Sequence, residues 1–516
     1  MGSLVLQYGG STSLLYGAIT LVAVFLGYEI FLHPLRRYPG PLLAKFTNLY
    51  AAFFALERKL HLETWEYHQK YGPVVRLGPD RLVFDSLEAL RDIYQNERTT
   101  KPPLYLATQA KAGTFSIWNA LDRGLHSRKR RLVGRATTDA SMREFEPTML
   151  EHTDVFIQKL SETLHEPVNM KDRCSYLSFD IIGLLSFGYA MNLQSDPENQ
   201  FLADQLTRGN HRMNIFMQIP VIPRFKLQRY FNLFFKAERE RTAQLIGTMI
   251  HTRMAQETHA RRDWYSFLAD SLKPESDGSI RMGDLWLEAF FFIIAGGDTT
   301  STAMSATLFY LARNPDCYRK LSREIRTTFE TADGIQGAKV TNCRYLRACI
   351  DEALRMSPPI PGALWRHLAP EEKAAGPLVV DGHVIPDGTK VGVNIYSLHH
   401  NEKYFPQPFV YSPERWLETD DPNDGTTLPR ANREAFAPFI TGARGCAGKP
   451  MAYLESSLAL AKIMWHFDFR AAPGGLGDIG TGKHGEFYLH DIFTSTHDGP
   501  YLVFENRIPD DVSPSI

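Results

Sequence analysis

Cys446 stands in Phe439-Ile440-Thr441-Gly442-Ala443-Arg444-Gly445-Cys446-Ala447-Gly448, a glycine-rich loop leading into an expected helix that begins near Lys449. A cysteine at a helix amino terminus meets the positive end of the dipole and free backbone N–H groups. These stabilise a metal-bound thiolate and tune its potential. The glycines let a flat cofactor approach the backbone, and Arg444 offers a guanidinium to a carboxylate on such a group. The remaining cysteines, Cys174, Cys317, Cys343 and Cys349, are too sparse for a disulfide framework and show no C-x-x-C spacing. They read as small core residues in a reducing, cytosol-facing compartment.

A second chemical cluster is Ala295-Gly296-Gly297-Asp298-Thr299-Thr300, set against the apolar run Phe290-Phe291-Phe292-Ile293-Ile294. Two glycines in a helix cost roughly 1 kcal/mol each relative to alanine. The room they leave can be filled by an ordered proton relay of a hydroxyl and a carboxylate. A third cluster is Glu352 and Arg355, three apart on one helix face, where they can pair. Pro358-Pro359-Ile360-Pro361 and Pro413-Glu414-Arg415-Trp416 follow.

The F-x-x-G-x-R-x-C-x-G string, Phe439 to Gly448, resembles the haem-binding signature of the cytochrome P-450 superfamily at every fixed position, and the other motifs occur in that family's order. The resemblance implies Cys446 as axial ligand of the haem iron, in a loop whose Phe439, Gly442 and Gly448 border the cofactor. It implies Asp298 as proton conduit and Thr299 as the residue that steadies dioxygen. Glu352, Arg355 and Arg415 would form a buried, structural network. His126 and Arg130 resemble the family's W-x-x-x-R helix that meets the haem propionates, with histidine where the family has tryptophan. Arg444 and Arg366 are the further propionate candidates. Arg128 and Lys129 either face solvent or help dock an acidic reductase.

By the same resemblance, Tyr105, Phe115, Ile117 and Trp118 precede the propionate helix and cover a distal pocket, and Phe291, Phe292, Ala295, Leu364 and Phe493 fall on other pocket-lining segments. Aromatic residues at helical spacing serve equally as plain core. The strings HPLRRYPGPLLAKFT and HDIFTSTHDGPYLVFENR are similar to those of microsomal fungal members that oxidise secondary metabolites. The implied activity is insertion of oxygen from O2 into a lipophilic polyketide, terpenoid or alkaloid intermediate. It would use haem b and electrons from NADPH through a cytochrome P-450 reductase, with cytochrome b5 as a second donor. Two other readings are a reductase-independent haem-thiolate isomerase or dehydratase, against which the acid–alcohol pair argues, and a membrane-tethered haem or ligand sensor.

The elements that must position these residues are mostly helices. Apolar periodicity marks helices near 60–71, 87–96, 125–137, 145–165, 177–187, 231–256, 282–313, 316–329, 342–356 and 449–467. Short strands are expected near 74–77, 82–84, 378–380, 391–395 and 501–504. The expected class is mainly α with small β-sheets, an α+β haem domain. The 516 residues, 44% hydrophobic and 22% charged, suit a large core. A net charge of -1 argues against a nucleic-acid partner.

Leu14 to Leu32 is apolar except for Glu29, and nineteen residues at ~1.5 Å rise just cover a bilayer core of ~30 Å. Arg36 and Arg37 follow the run, which places the carboxyl-terminal side in the cytosol. The expected layout is a lumenal tip and single-pass endoplasmic-reticulum anchor over 1–35, a catalytic domain over 36–507 and a tail over 508–516.

Overall fold

Long helices that bury one face each build most of this chain, and short strands tie their ends. The computed structural model describes residues 16–109, 113–225, 227–257, 260, 263–269, 282–417 and 430–507. Its principal helices are α1 (Leu60–Tyr71), α2 (Leu87–Tyr94), α3 (Arg123–Arg135), α4 (Asp139–Ser161), α5 (Met170–Phe187), α6 (Phe201–Gln218), α7 (Lys236–Met254), α8 (Met282–Arg313), α9 (Pro315–Thr328), α10 (Arg344–Met356) and α11 (Lys449–His466). The strands that matter for the site are β1 (Val74–Gly78), β2 (Arg81–Phe84), β3 (Pro167–Asn169), β4 (Lys390–Val393), β5 (Phe467–Ala471), β6 (His490–Ile492), β7 (Thr494–Thr496) and β8 (Tyr501–Asn506). The protein is mainly α with small sheets.

β1 and β2 are antiparallel, and β4 joins β2 in parallel, with Leu82 opposite Val391. β8 lies between β3 and β5, antiparallel to both. β6 and β7 form a tight hairpin whose tip, Phe493, has φ 90°, a left-handed conformation costly for an aromatic residue.

α8 runs unbroken for 32 residues through Gly296 and Gly297. The two glycines do not leave room for a relay, as their sequence position suggested. A Cβ at Gly296 would come 2.7 Å from Ile182 Cγ1, and one at Gly297 would come 2.3 Å from Phe179 Cε1. α5 fills the space, so the glycines bring two helix backbones together and fix the rotation of α8.

α6 is a whole helix that sequence periodicity did not mark. Its apolar stripe is broken by Asn210, Asn214 and Gln218, which sit one turn apart and bond other elements. Asn214 donates to Asp491 Oδ1 (3.2 Å), while Gln218 Oε1 accepts from Arg81 of β2 (2.5 Å). Buried polar groups are tolerated when paired in this way.

No helix among the described residues is long and apolar enough to cross a membrane. Of the run Leu14 to Leu32, the first two residues lie outside the described set, as does the tail 508–516. Glu29 does not face outward. It is buried and accepts from Arg76 of β1 at 2.8 Å, which docks the end of that helix on the globular body.

Beneath the site, one carboxylate joins two segments. Glu352 on α10 accepts two hydrogen bonds from Arg355 (2.9 Å each), one from Arg415 (2.9 Å), one from the Trp416 indole (2.9 Å) and one from the Ser412 N–H (3.1 Å). Burial raises its pKa, but Arg355 and Arg415 outweigh that and hold it below the usual carboxylate range. Removing one member of such a network strands buried charge at a cost of about 3–5 kcal/mol. Glu352→Gln should therefore lower the urea midpoint of unfolding by an amount corresponding to about that energy; an unchanged midpoint would show that the guanidinium charges are compensated elsewhere.

Candidate active site

The Cys446 loop takes its shape from close backbone contacts. Cys446 N–H donates to Phe439 O (2.8 Å) and Gly445 N–H to Gly442 O (2.9 Å), folding the chain back just before α11. Gly442, at φ 77°, must be glycine for packing: a Cβ there would lie 1.9 Å from Tyr94 O. It does not border the cavity, which corrects its assignment as a cofactor contact. The backbone N–H groups of Gly448 and Lys449 reach the Cys446 sulfur and, with the charge of Arg130, draw down a thiol pKa that burial raises. Cys446 exposes surface although protein surrounds it, because its sulfur opens onto an internal cavity.

That cavity has a volume of about 1250 Å³ and runs from Cys446 and the Cys loop, past Thr299 of α8, to α6 and α7. A drug-sized ligand needs roughly 300–1000 Å³, so there is space for a flat cofactor and a substrate together. Its middle is apolar, walled by Ile117, Trp118, Phe291, Phe292, Ala295, Leu364 and Phe493. Trp118 stacks on Phe291 with centroids 6.0 Å apart and meets Phe493 edge-on at 5.1 Å. Tyr105 and Phe115 do not line it. Tyr105 is fully buried behind Trp118, and Phe115 lies off the wall. Both expectations are corrected: of residues 113–122, just before α3, it is Ser116, Ile117 and Trp118 that border the cavity.

At the proximal end the lining is cationic. His126, Arg130, Arg366 and Arg444 all border the cavity, joined by Lys101, which sequence reasoning missed. Arg130 donates to Gly445 O (2.7 Å) and Arg444 to Ala120 O (2.8 Å) and Leu121 O (3.0 Å). Lys101, 4% exposed, donates to Trp118 O and lies 3.6 Å from the centre of the Trp118 ring. Among the described residues no carboxylate lies within 4.0 Å of Lys101, Arg130, Arg366 or Arg444. Burial and the neighbouring arginines push the Lys101 pKa well down, and hold Arg444 to about 10 and neutral His126 to about 3. Buried like charge without a counter-charge is unfavourable. A flat cofactor bearing two carboxylates, seated over the Cys446 sulfur, supplies what this cluster lacks. Haem fits the residues present.

Lys129 is not available for docking. It is 3% exposed and bonds Glu288 of α8 at 2.9 Å, whereas Arg128 on the same helix is exposed.

On α8, the Thr299 hydroxyl faces the cavity and donates back to Ala295 O, leaving its lone pairs free to accept. Asp298 points to α6 and the β6–β7 hairpin. Its Oδ2 accepts from Asn210 Nδ2 (3.1 Å) and Thr494 Oγ1 (3.4 Å), two residues that themselves border the cavity. Asn210 also donates to Thr494 Oγ1 (2.9 Å). Burial raises the Asp298 pKa to about 7, against the opposing pull of Thr494, Asn210 and Lys171. Neither Asn210 nor Lys101 carries a local sequence signal; each acts through residues more than eighty positions away or by burial alone.

Comparison with known proteins agrees with this geometry. The family model for cytochrome P-450 matches residues 39–483. The chain is 36% identical to cytochrome P-450 monooxygenase poxM of Penicillium oxalicum, covering 94% of this chain and 93% of that one. It is 35% identical to cytochrome P-450 monooxygenase AKT7 of Alternaria alternata (94% and 97%) and 33% identical to cytochrome P-450 monooxygenase apf7 of Gibberella fujikuroi (96% and 97%). With a thiolate loop, an acid–alcohol pair and a cation-lined seat around one cavity, and with these similarities over nearly its whole length, the chain belongs to the cytochrome P-450 family and is a haem-dependent monooxygenase.

Proposed function

We propose that the protein hydroxylates, or otherwise oxidises by oxygen insertion, a lipophilic intermediate of fungal secondary metabolism, a polyketide, terpenoid or alkaloid. The observation that carries this reading is the single cavity shared by Cys446, Thr299 and an apolar middle section. Haem b, when bound, supplies the one-electron chemistry by which dioxygen is activated, and the thiolate of Cys446 favours O–O cleavage. One oxygen atom enters the substrate and the other leaves as water, with two electrons from NADPH by way of a reductase and two protons from solvent. Cytochrome b5 is a second source of the later electron.

The chain's own residues bind, exclude water and move protons. Arg130, Arg366, Arg444, Lys101 and His126 hold the two propionates by charge-assisted hydrogen bonds. The aromatic wall of Trp118, Phe291 and Phe493 orients the substrate and keeps bulk water out of the cavity. Asp298, whose pKa burial raises to about 7, exchanges a proton near neutral pH and passes it toward the cavity, where Thr299 Oγ1 accepts it and hands it on.

The protein is also proposed to work at the endoplasmic-reticulum membrane, as a single-pass chain with its catalytic domain in the cytosol. Tyr16, Leu21, Val24, Phe31 and Leu32 on the helical run 16–32 are exposed, as are Leu42, Leu43 and Phe53 further along the chain. Apolar surface on that scale favours a lipid contact.

In a reduced carbon-monoxide difference spectrum, wild type should give the far-red-shifted Soret band of thiolate ligation and Cys446→Ser should lose it; haem-loaded wild type without the band would overturn the assignment. Asp298 is protonated below pH 7 and loses its proton as pH rises through about 7. The coupling of NADPH oxidation to product should therefore fall above that pH. Asp298→Asn should remove the dependence and slow turnover about 10²-fold, so a pH profile shared by mutant and wild type would exclude Asp298 as the donor. Lys101→Met should release haem to apomyoglobin about tenfold faster, since a hydrogen bond to a charged group contributes about 1.5–3 kcal/mol; an unchanged rate would place Lys101 outside the haem seat.

A further inference from the structure

At the far end of the cavity from Cys446, arginines outnumber the acids. Arg212 of α6, Arg239 of α7, and Arg224 and Arg229 of the segment between them line the mouth with Glu238, while Asp80, the other lining carboxylate outside that group, pairs with Lys390. Arg208, just outside, shares the same Glu238 at 3.6 Å.

Arg212 is the innermost of these. Its side chain is 22% exposed against 51% for Arg208. It lies against the Phe235 ring, 4.0 Å from the centroid, and its nearest carboxylate oxygen, Glu238 Oε2, is 4.0 Å away. That is too long for a hydrogen bond. Among the described residues the Arg212 guanidinium donates no hydrogen bond, although it offers five N–H groups. Burial disfavours its charge, as do Arg208 and Arg239, against the one favourable pull of Glu238. The buried Glu238 Oε2 is likewise without a hydrogen-bond partner.

A neutral lipophile would leave the half-buried Arg212 guanidinium without a hydrogen-bond acceptor, since Glu238 stays 4.0 Å away. An anion placed between Arg212 and Arg239 would relieve it and accept two N–H bonds in the fork geometry that matches a carboxylate. Inward from Arg212 the wall is Met213, Phe216, Met217 and Leu206, then Phe291 and Ala295 beside Thr299. The surface around the mouth is apolar, with Val221, Phe225, Phe231, Leu233 and Phe234 exposed, which suits a ligand that arrives from a lipid phase.

We propose that the substrate is an amphiphilic acid: a carboxylate held by Arg212 at the cavity mouth, with an aliphatic body reaching toward Thr299 and Cys446. This rests on the monooxygenase reading above and narrows it to a substrate class. It makes Arg212 a specificity-determining residue, and it makes the oxidised carbon one remote from the carboxylate. The headgroup of an anionic phospholipid shares the same chemistry, so the test must separate the two.

The experiment uses the full haem-loaded chain in phosphatidylcholine nanodiscs, with and without phosphatidylserine. It is titrated with the C8 to C18 saturated fatty acids and their methyl esters, and the low- to high-spin Soret shift is followed. At least one acid should bind about tenfold more tightly than its ester. Arg212→Gln should reduce that preference to within about twofold while keeping its carbon-monoxide band, and phosphatidylserine should leave the wild-type preference unchanged. Equal binding of acids and esters, no spin shift with any acid, or a preference that survives Arg212→Gln would overturn the proposal. Loss of the preference only when phosphatidylserine is present would give the arginines to the membrane surface and overturn it too. The carbon-monoxide band reports thiolate ligation independently, so failure here is distinguishable from failure of the monooxygenase reading.

Discussion

One buried carboxylate holds the proximal half of this protein in place. Glu352 meets two guanidiniums, an indole N–H and a backbone N–H, so it ties α10 to the 412–416 segment in fixed register. The connection then continues toward the sulfur. Arg355 donates to His399 O (2.9 Å), and His399 Nε2 accepts from the Ala437 N–H (3.0 Å), two residues before Phe439. His399 is neutral, its pKa held to about 3 by burial and by Arg355, so its Nδ1 can donate to Arg355 O while Nε2 accepts. Phe439 O in turn receives the Cys446 N–H. A chain of short, directional bonds thus runs from a structural ion network to the backbone of the ligand residue. Displacement at Glu352 would be felt at the Cys446 loop without touching it.

The distal half is positioned by packing instead. α8 can present Thr299 to the cavity and Asp298 to α6 because Gly296 and Gly297 sit flat on Ile182 and Phe179. Any side chain there would rotate or lift the helix, and the acid and the alcohol would exchange environments. Their different surroundings give them different tasks. Thr299 keeps free lone pairs in the cavity, while Asp298 is buried where desolvation outweighs Asn210 and Thr494 and raises its pKa to about 7.

How much of this is legible in the sequence follows from which residues carry local information. The Cys446 loop, α8 and α10 are legible because several chemically unusual residues recur at fixed short spacing. α4 was expected from Phe145 but starts at Asp139, because the Thr138 hydroxyl caps it by accepting from the Ser141 N–H. α6 is not legible, since two of its six buried residues are amides: Asn214 and Gln218 read as surface residues until β2 and the β6–β7 hairpin supply their partners. Lys129 read as solvent-facing or docking for the same reason in reverse, because its counter-charge, Glu288, is 159 residues away. Lys101 has no motif, only a place. Gly442, Gly296 and Gly297 stand out in the sequence, but what requires them is close packing against Tyr94, Ile182 and Phe179 rather than approach of a cofactor at Gly442 or room for a proton relay at Gly296 and Gly297.

The charge along the cavity ties these halves together. Cations gather at both ends, Lys101, Arg130, Arg366 and Arg444 near the sulfur and Arg212, Arg224, Arg229 and Arg239 at the mouth, while the middle is hydrocarbon. In so apolar a space an unpaired charge is expensive, so each end is built to receive an anion. The two propionates proposed for the inner cluster would meet its need, and the inner end would then attract no further acid. The outer end remains, and its geometry then limits what can happen inside: a ligand held by its head at Arg212 presents to Thr299 whatever lies one cavity length further down its chain. Regioselectivity in such a site is a matter of length measured from a fixed charge. The position of α6, which carries both Arg212 and the Asn210 that grips Asp298, sets that length and the placement of Asp298 at the same time.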